Sequence, residues 1–123
     1  MQKNRAVCFV LVACALFSGC GLGSSEVAVS SDQLFSDYRA NEVAADAKYK
    51  GKVLDVSGTV TEIGNDMLGD AFVALYGDGM FSVQCFFNDK AQLAAINKGQ
   101  KVQLKGVCDG LMGNVLIKKC EFE

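Results

Sequence analysis

The 123-residue sequence contains no histidine, no proline and no tryptophan. Histidine is the commonest general base and the commonest transition-metal ligand, so the chain lacks the usual residue for both kinds of site. It also lacks the GxxxxGK sequence that binds phosphate groups and the CxxC spacing of redox-active thiols. Together these absences predict a protein with no catalytic activity, no cofactor and no metal site.

Glycine is by contrast abundant, with 13 residues in a chain short enough to be one domain. Without proline, tight turns depend on residues such as glycine that tolerate a positive φ. Half of the residues are apolar and 21% are charged, which is ordinary for a globular protein. The composition is therefore typical of a small domain whose short strands are joined by tight turns.

The longest apolar run lies at the amino terminus, where Lys3 and Arg5 precede twelve apolar residues at positions 6–17. Twelve helical residues extend over about 18 Å, well short of the roughly 30 Å hydrocarbon core of a membrane. Basic residues followed by a short apolar run and small residues are typical of a secretion signal. We therefore expect this run to direct export and not to span a membrane.

A cysteine ends this segment in "FSGC", and the segment resembles the signal of bacterial lipoproteins, in which such a cysteine is lipidated and becomes the first mature residue. Two cysteines compete for this role. Cys14, in "LVAC", fits the consensus sequence before the lipidated cysteine better. Cys20 instead follows an apolar segment of full length and precedes the flexible segment "GLGSSE". We expect lipidation of Cys20, with a signal peptide over residues 1–19, a flexible tether over 20–29 and a folded domain over 30–123.

The mature protein would carry an excess of acidic residues. Loss of residues 1–19 leaves 10 basic and 14 acidic residues, a net charge of −4. Gly21, in place of an aspartate after the lipidated cysteine, resembles the lipoproteins that diderm bacteria send to the outer membrane. We therefore expect a monomer on the periplasmic face of the outer membrane, held in the cell envelope by its amino-terminal lipid.

The sequence predicts one helix over residues 30–49. Ser30 followed by Gln33 fits a capping box, in which the serine side chain accepts a hydrogen bond from a backbone amide of the first turn. The large apolar residues fall near one face at helical spacing: Leu34, Phe35, Tyr38 and Val43. We expect this face to pack on the rest of the domain.

After this helix the apolar residues alternate at every second position, which predicts strands. We expect three strands over residues 52–63, 71–76 and 80–87, then a short helix over 88–99, and finally two strands over 100–108 and 114–122. The inward-facing positions of the first and third strands are Leu54, Val56, Gly58, Val60, Phe81, Val83, Cys85 and Phe87.

Three strands, a helix and two strands is the order of elements in the OB-fold, a small closed Greek-key barrel. The stretches "NEVAADAKYKGKVLDVSGTVTEIG", "VQCFF", "KGQKVQLKGVCDG" and "VLIKKC" resemble the tRNA-anticodon-like OB-fold lipoproteins, and the likeness extends over residues 31–122. The resemblance implies a mainly β domain, a five-stranded OB-fold Greek-key barrel with an N-terminal helix and a short helix between strands three and four.

Three cysteines remain in the folded domain, and the exported compartment allows disulfides. Cys108 and Cys120 lie on the last two strands, and a three-residue reversal at 113–115 would place them opposite each other, within bridging distance. A two-residue reversal would turn Cys120 to the other face, and Cys85 is the alternative partner. We predict a Cys108–Cys120 disulfide with a structural role and one buried thiol.

OB-folds bind oligonucleotides or oligosaccharides on the face of strands two and three, between the first and last loops. Phe72, Tyr76 and Phe86 are the candidate ligand residues on this face, and packing within the sheet is their alternative role. The flanking loops, 64–70 and 109–114, carry aspartates, which oppose contact with the phosphates of a nucleic acid. We expect these aspartates to form turns, because their spacing does not match a calcium-binding loop.

These features predict a lipid-anchored, exported, non-catalytic OB-fold module that binds or interacts with an unknown ligand. The expected partners are the membrane, through the lipid, and an envelope protein or glycan, whereas the acidic loops disfavour nucleic acid. The alternative function is an oligonucleotide- or oligosaccharide-binding protein of the cell envelope.

Overall fold

A computed structural model describes residues 26–123 of the chain. The predicted signal peptide over 1–19, the two candidate lipidation sites Cys14 and Cys20, and the start of the predicted tether lie outside the described residues. Within the described part of the chain, every helix is too short or too polar to cross a membrane.

The described residues form six strands, two α-helices and one 3₁₀-helix, η1. In chain order the elements are β1 (Val27–Ser30), α1 (Ser31–Ala40), α2 (Glu42–Tyr49), β2 (Val53–Asn65), β3 (Ala71–Tyr76), β4 (Ser82–Phe87), η1 (Lys90–Ala95), β5 (Lys101–Met112) and β6 (Asn114–Phe122).

Strands β2 to β6 close into a five-stranded barrel. β2 pairs with β3 on one side and with β5 on the other, so the sheet returns on itself in the order β2-β3-β4-β6-β5. β4 and β6 are parallel, and the other neighbours in the barrel are antiparallel. With η1 between the third and fourth barrel strands, this arrangement confirms the predicted mainly β, five-stranded OB-fold.

One strand lies within the segment that the sequence predicted as a flexible tether over 20–29. β1 runs parallel to β2, with Val27 opposite Leu54, and adds a sixth strand at the edge of the sheet. Val27 and Val29 pack against the core, which explains their alternation in "VAVS". Among the described residues, strand pairing therefore begins at Val27, before the predicted domain boundary at residue 30.

The single amino-terminal helix predicted from the sequence is two helices, α1 and α2, separated at Asn41. The backbone of Asn41 is extended (φ −164°, ψ 99°), and its side-chain oxygen accepts a hydrogen bond from the Ala44 amide at 3.1 Å. Ser30 caps α1 as predicted, because its hydroxyl accepts a hydrogen bond from the Gln33 amide at 3.3 Å. The break changes the helical phase, so the predicted buried position of Val43 is wrong, and its side chain is 81% exposed.

The barrel interior is filled by alternating positions of β2 and β4, as the sequence predicted. These buried residues are Leu54, Val56, Val60, Val83, Cys85 and Phe87. Two predicted inward positions are exceptions. Gly58 is only partly buried. Phe81 belongs to the turn before β4, which begins at Ser82, and it is 41% exposed and stacks on Phe35. The helix predicted over 88–99 is the shorter η1, which buries Leu93.

Two buried tyrosines join the helices to each other and to the barrel. Tyr38 donates a hydrogen bond to Asp46 at 2.9 Å, and its oxygen lies 3.5 Å from the Cys108 sulfur. Tyr49 donates a hydrogen bond to Asp37 at 2.6 Å. Burial, followed by these hydrogen bonds, raises the pKa of both tyrosines, and the bond from Tyr49 lowers the pKa of Asp37.

The hairpin of β5 and β6 turns at Gly113, whose φ of 77° suits glycine. One irregularity in the ladder, between Gly110 and Cys108, then places Cys108 opposite Ile117. The expected alignment of Cys108 with Cys120 is therefore wrong, because it assumed a longer reversal and a regular ladder. Cys85, Cys108 and Cys120 are buried and unbridged, and the Cys108–Cys120 disulfide itself stays a prediction.

Candidate binding face

The aromatic pair Phe72 and Phe86 lies on the outer surface of the barrel. The two residues are cross-strand neighbours on β3 and β4, and their ring centroids are 6.1 Å apart. They face outward because the next residues, Val73 and Cys85, face the core and side chains alternate along a strand. Phe72 is only 8% exposed, with Gly64 of β2 beside its ring, so Phe86 is the ring of this pair that a ligand can reach.

Phe86 lines a cleft of about 660 Å³ between the loop that follows β2 and the turn of the β5–β6 hairpin. Leu68 from the loop, Met112 from the hairpin and Leu116 from β6 line the same cleft. Leu68 is 86% exposed and Met112 is 78% exposed. We call Leu68, Phe86, Met112 and Leu116 the apolar face, because large apolar side chains in the loop after β2 and at the end of β5 flank two apolar side chains of the sheet.

The loop after β2 is shaped by Asp66. Its carboxylate accepts hydrogen bonds from the backbone amides of Leu68 and Asp70, each at 2.9 Å, and its own amide donates to the Asp70 carbonyl at 2.9 Å. Asp66 is therefore a turn former, as predicted, and the closed turn leaves the Leu68 side chain in solvent. In residues 26–123, no group of three His, Cys, Asp or Glu side chains is placed to hold a metal ion.

Charged side chains surround the apolar face without making it basic. Three carboxylates, Asp66, Asp70 and Asp109, line the cleft together with Lys118 and Lys119. Lys118 forms an ion pair with Asp109 at 3.0 Å, and both side chains are partly exposed. With three acids against two lysines, the cleft has no excess of positive charge to attract phosphates.

Tyr76 lies apart from Phe72 and Phe86, although the sequence placed the three on one ligand face. It is the last residue of β3 and is 48% exposed. Its side chain lines a separate cleft of about 520 Å³, whose other walls include Thr59 and Lys101. The structure thus brings two of the three predicted aromatic residues together and separates the third by the length of the strand.

Three residues of the apolar face were not singled out from the sequence. Leu68 and Met112 lie in "NDMLGD" and "DGLMG", where large apolar residues stand among turn-forming ones. That contrast is the signal that could have identified them, because large apolar side chains in short turns have little protein to pack against. Leu116 carried no such signal, since it alternates normally within β6.

The family whose sequence profile matches the chain is tRNA_anti-like, and the match extends over residues 2–121. A search of curated proteins finds no match. Residues 2–121 include all six strands and both helices of the described chain except the end of β6.

The solved structures that are similar to this chain include the following two. The first is a putative nucleic acid-binding lipoprotein from Klebsiella pneumoniae, with 15% identity and a TM-score of 0.61, covering 77% of this chain and 91% of that chain. The second is an asparaginyl-tRNA synthetase from Entamoeba histolytica in complex with asparaginyl-adenylate, with 16% identity and a TM-score of 0.48, covering 80% of this chain and 24% of that chain. At this identity the first likeness shows a shared fold.

Proposed function

The chain belongs to the tRNA_anti-like family, and from this membership and its OB-fold we propose that it is a non-catalytic binding module whose ligand is a protein with an apolar segment. The ligand docks on the apolar face, between the loop after β2 and the β5–β6 turn. The observation that carries the proposal is the exposure of Leu68 and Met112 on either side of Phe86 and Leu116 in one cleft.

The chemistry of the apolar face favours a protein ligand. Exposed apolar surface that a partner covers contributes about 25 cal/mol per Å² to association, before the costs of binding. Leucine and methionine are aliphatic, and the flexible thioether of Met112 adapts to partners of different shape. Single-stranded nucleic acids instead stack successive bases on several exposed aromatic rings. In this cleft Phe86 is accompanied by Phe87, which is only 4% exposed.

The charges beside the apolar face favour the same ligand class. Phosphate groups require lysines and arginines that are free to neutralise them. In this cleft Lys118 is paired with Asp109, and the carboxylates of Asp66 and Asp70 add negative charge. A protein segment that carries lysine or arginine next to its apolar residues would be complementary to this arrangement.

Met112→Asp tests the proposal, and Met80→Asp is its matched control. Both methionines are exposed, at 78% and 81%, but Met80 lies in the β3–β4 turn, at the opposite end of β4 from Phe86. We expect affinity-tagged chain from detergent-extracted cells to recover a partner protein that Met112→Asp and Leu68→Asp lose by about tenfold or more. Met80→Asp retains the partner. Equal recovery by Met112→Asp and the unmodified chain would contradict the proposal, provided that circular dichroism shows the variant folded.

Oligonucleotide binding is the second candidate function. Two observations favour it: the similar Klebsiella structure is described as nucleic acid-binding, and Phe86 shares its cleft with Lys118 and Lys119. Fluorescence anisotropy with short single-stranded DNA and RNA distinguishes the candidates. We expect no binding at low salt. Binding that weakens as salt rises, and that Lys119→Ala reduces, would instead support the second candidate.

We further propose that the module is exported and anchored in the cell envelope by a lipid on Cys20, on the periplasmic face of the outer membrane. The lipoprotein-like signal supports this, as does the description of the Klebsiella structure as a lipoprotein. Cys20→Ser should release the protein from the membrane fraction or leave the precursor unprocessed, whereas Cys14→Ser should behave as the unmodified chain. Normal processing and membrane retention of Cys20→Ser would overturn the anchor.

A further inference from the structure

We propose that Cys85 and Cys120 form the disulfide of this domain and that Cys108 remains a thiol. The proposal is carried by the pairing of β4 with β6, which brings these two cysteines into the same part of the core. In cells the bond rests on the proposed export, because an oxidising compartment is needed to form and keep it.

A bulge in β6 turns Cys120 into the core. β6 faces the core at Ile117, so strict alternation would next bury Lys119 and expose Cys120. Instead the register with β4 shifts by one residue: Ile117 is opposite Cys85, and Cys120 is opposite Phe87. The shift leaves Cys120 5% exposed, on the strand that neighbours Cys85.

The bulge puts Lys119 in an unfavourable backbone conformation. Its φ is 57°, and no other residue besides glycine has a positive φ between residues 26 and 123. A residue with a Cβ adopts this conformation at a cost, and such a residue persists where the surrounding structure requires it. Here the requirement is the inward position of Cys120.

Gly106 of β5 makes the room that Cys120 occupies. A Cβ at position 106 would lie 2.7 Å from the Cys120 sulfur and 2.6 Å from a methyl carbon of Ile117, closer than such atoms approach in proteins. The missing side chain at Gly106 of β5 and the bulge in β6 therefore have the same effect on the position of Cys120. Both place the Cys120 sulfur inside the barrel wall, next to Gly106 of β5.

Cys85 is fully buried on β4 and has Cys120 as its ionisable neighbour. Burial, and then contact with the Cys120 thiol, raise the pKa of Cys85. Because the thiolate is the reactive form, the folded barrel resists oxidation at this residue. The bond therefore forms during folding, before the barrel closes, and is afterwards shielded from reductants.

Cys108 has a different partner. Its sulfur lies 3.5 Å from the Tyr38 hydroxyl oxygen, and that hydroxyl donates its hydrogen to Asp46. The Cys108 thiol is therefore the donor of a hydrogen bond to Tyr38. Cys85 and Cys108 both lie opposite Ile117, on the two sides of β6, so the strand register does not separate them. Pairing of Cys108 with Cys120 would break the hydrogen bond of Cys108 to Tyr38. The Cys85 thiol instead contacts Cys120 and would give up a longer contact, 4.0 Å to the Val83 carbonyl oxygen.

The reaction is a thiol–disulfide exchange with an oxidised dithiol protein of the envelope, or with glutathione disulfide in a purified system. A thiolate of one cysteine attacks the disulfide of the oxidant and displaces one of its sulfurs as a thiolate. The second cysteine then attacks the mixed disulfide, the Cys85–Cys120 sulfur bond forms, and the second thiolate of the oxidant leaves. Two electrons and two protons pass from the two cysteine thiols to the oxidant, which becomes two thiols.

Tryptic peptide mapping of the full chain tests the pairing, because the lysines place each of the three cysteines of the folded domain on its own peptide, apart from the amino-terminal cysteines on peptide 6–39. Cys85 falls in 53–90, Cys108 in 106–118 and Cys120 in 120–123. The chain is refolded with glutathione disulfide, its free thiols are alkylated in denaturant, and the digest is analysed without reduction. We expect peptides 53–90 and 120–123 to be linked and peptide 106–118 to be alkylated. A link between 106–118 and 120–123, or alkylation of all three cysteines, would overturn the proposal.

Two variants sharpen this result. Cys108→Ala should keep the bridge, seen as an intact mass lower by two hydrogen atoms than that of the reduced chain, whereas Cys85→Ala should lose it. A bridge that survives in Cys85→Ala contradicts the pairing. Alkylation inside intact cells is compared with the refolded chain, so that a bridge seen in the refolded chain alone would count against export and not against the pairing.

Discussion

Tyr38 shows how single side chains satisfy their polar atoms in this core. Its side chain is 1% exposed, yet its hydroxyl contacts Asp46 of α2 and Cys108 of β5. A buried donor or acceptor that loses its partner destabilises the folded state by more than the bond had contributed. One hydroxyl group therefore holds both helices against the barrel.

Tyr38→Phe should lower the free energy of unfolding by about 1–2 kcal/mol, because Asp46 and Cys108 both lose a hydrogen-bond partner. Tyr76→Phe is the control, since Tyr76 is 48% exposed, and we expect it to change stability by less than about 0.5 kcal/mol. Urea unfolding followed by circular dichroism measures both. Equal losses in the two variants would show that the Tyr38 hydroxyl has no special role.

Tyr49 predicts a dependence of stability on alkaline pH. Its pKa is raised in the folded state, first by burial and then by its hydrogen bond to Asp37, whereas in the unfolded chain it ionises near pH 10. Above about pH 10 the unfolded state therefore holds fewer protons than the folded state, and stability falls as pH rises, by up to about 1.4 kcal/mol per pH unit for one tyrosine.

Tyr49→Phe removes this titration. The variant should be less stable than the unmodified chain near neutral pH, because Asp37 loses one of its hydrogen-bond donors, but its stability should fall less steeply above about pH 10. Urea unfolding at a series of pH values between about 8 and 11 makes the comparison. Parallel curves for the two proteins would mean that Tyr49 ionises equally in both states.

At the scale of elements, Asn41 decides that the amino-terminal segment is two helices. Its side chain caps α2, and its own amide donates to the Asp37 carbonyl at the end of α1. Asn41→Ala should cost about 1 kcal/mol of stability, because the Ala44 amide loses its acceptor, while Asn41→Asp, which keeps the acceptor, should cost less. Thermal unfolding of the three proteins tests this, and identical midpoints would contradict the capping role.

Elements with a regular pattern could be predicted from the sequence, and their ends could not. Leu54 and Val56 revealed β2 because one face of that strand is buried throughout its first half. Val43 and Phe81 were misplaced because each lies beside a break, one after Asn41 and one before β4 begins at Ser82. The spacing of apolar residues in a helix or strand does not show where a cap or turn ends that element and changes which face is buried.

The candidate site could be predicted where it depends on one hairpin. Phe72 and Phe86 meet because β3 and β4 are joined by a short turn that fixes their register. The position of Cys120 depends on the bulge at Lys119, and a bulge leaves no pattern in a strand that otherwise alternates. Leu68 gains its place on the apolar face from the fold of its loop, which no periodicity describes.

At the scale of the whole molecule, strand pairing in the barrel joins the two sides of the apolar face. The loop carrying Leu68 leads into β3, β3 pairs with β4 at Phe86, and β4 pairs with β6, which Met112 adjoins at the hairpin turn. A face held in this way loses little conformational entropy on binding, which favours affinity. The expected net charge of −4 in the mature protein further disfavours contact with phosphates.

Site-specific photo-crosslinking in living cells tests most directly whether the apolar face docks a protein. A photoreactive phenylalanine analogue is placed at position 112 and, in a separate protein, at position 80, since both native methionines are exposed. We predict a crosslinked protein adduct from position 112, absent from position 80 and lost when Leu68→Asp is added. No protein adduct at position 112, an equal adduct at position 80, or an adduct with nucleic acid would contradict the account.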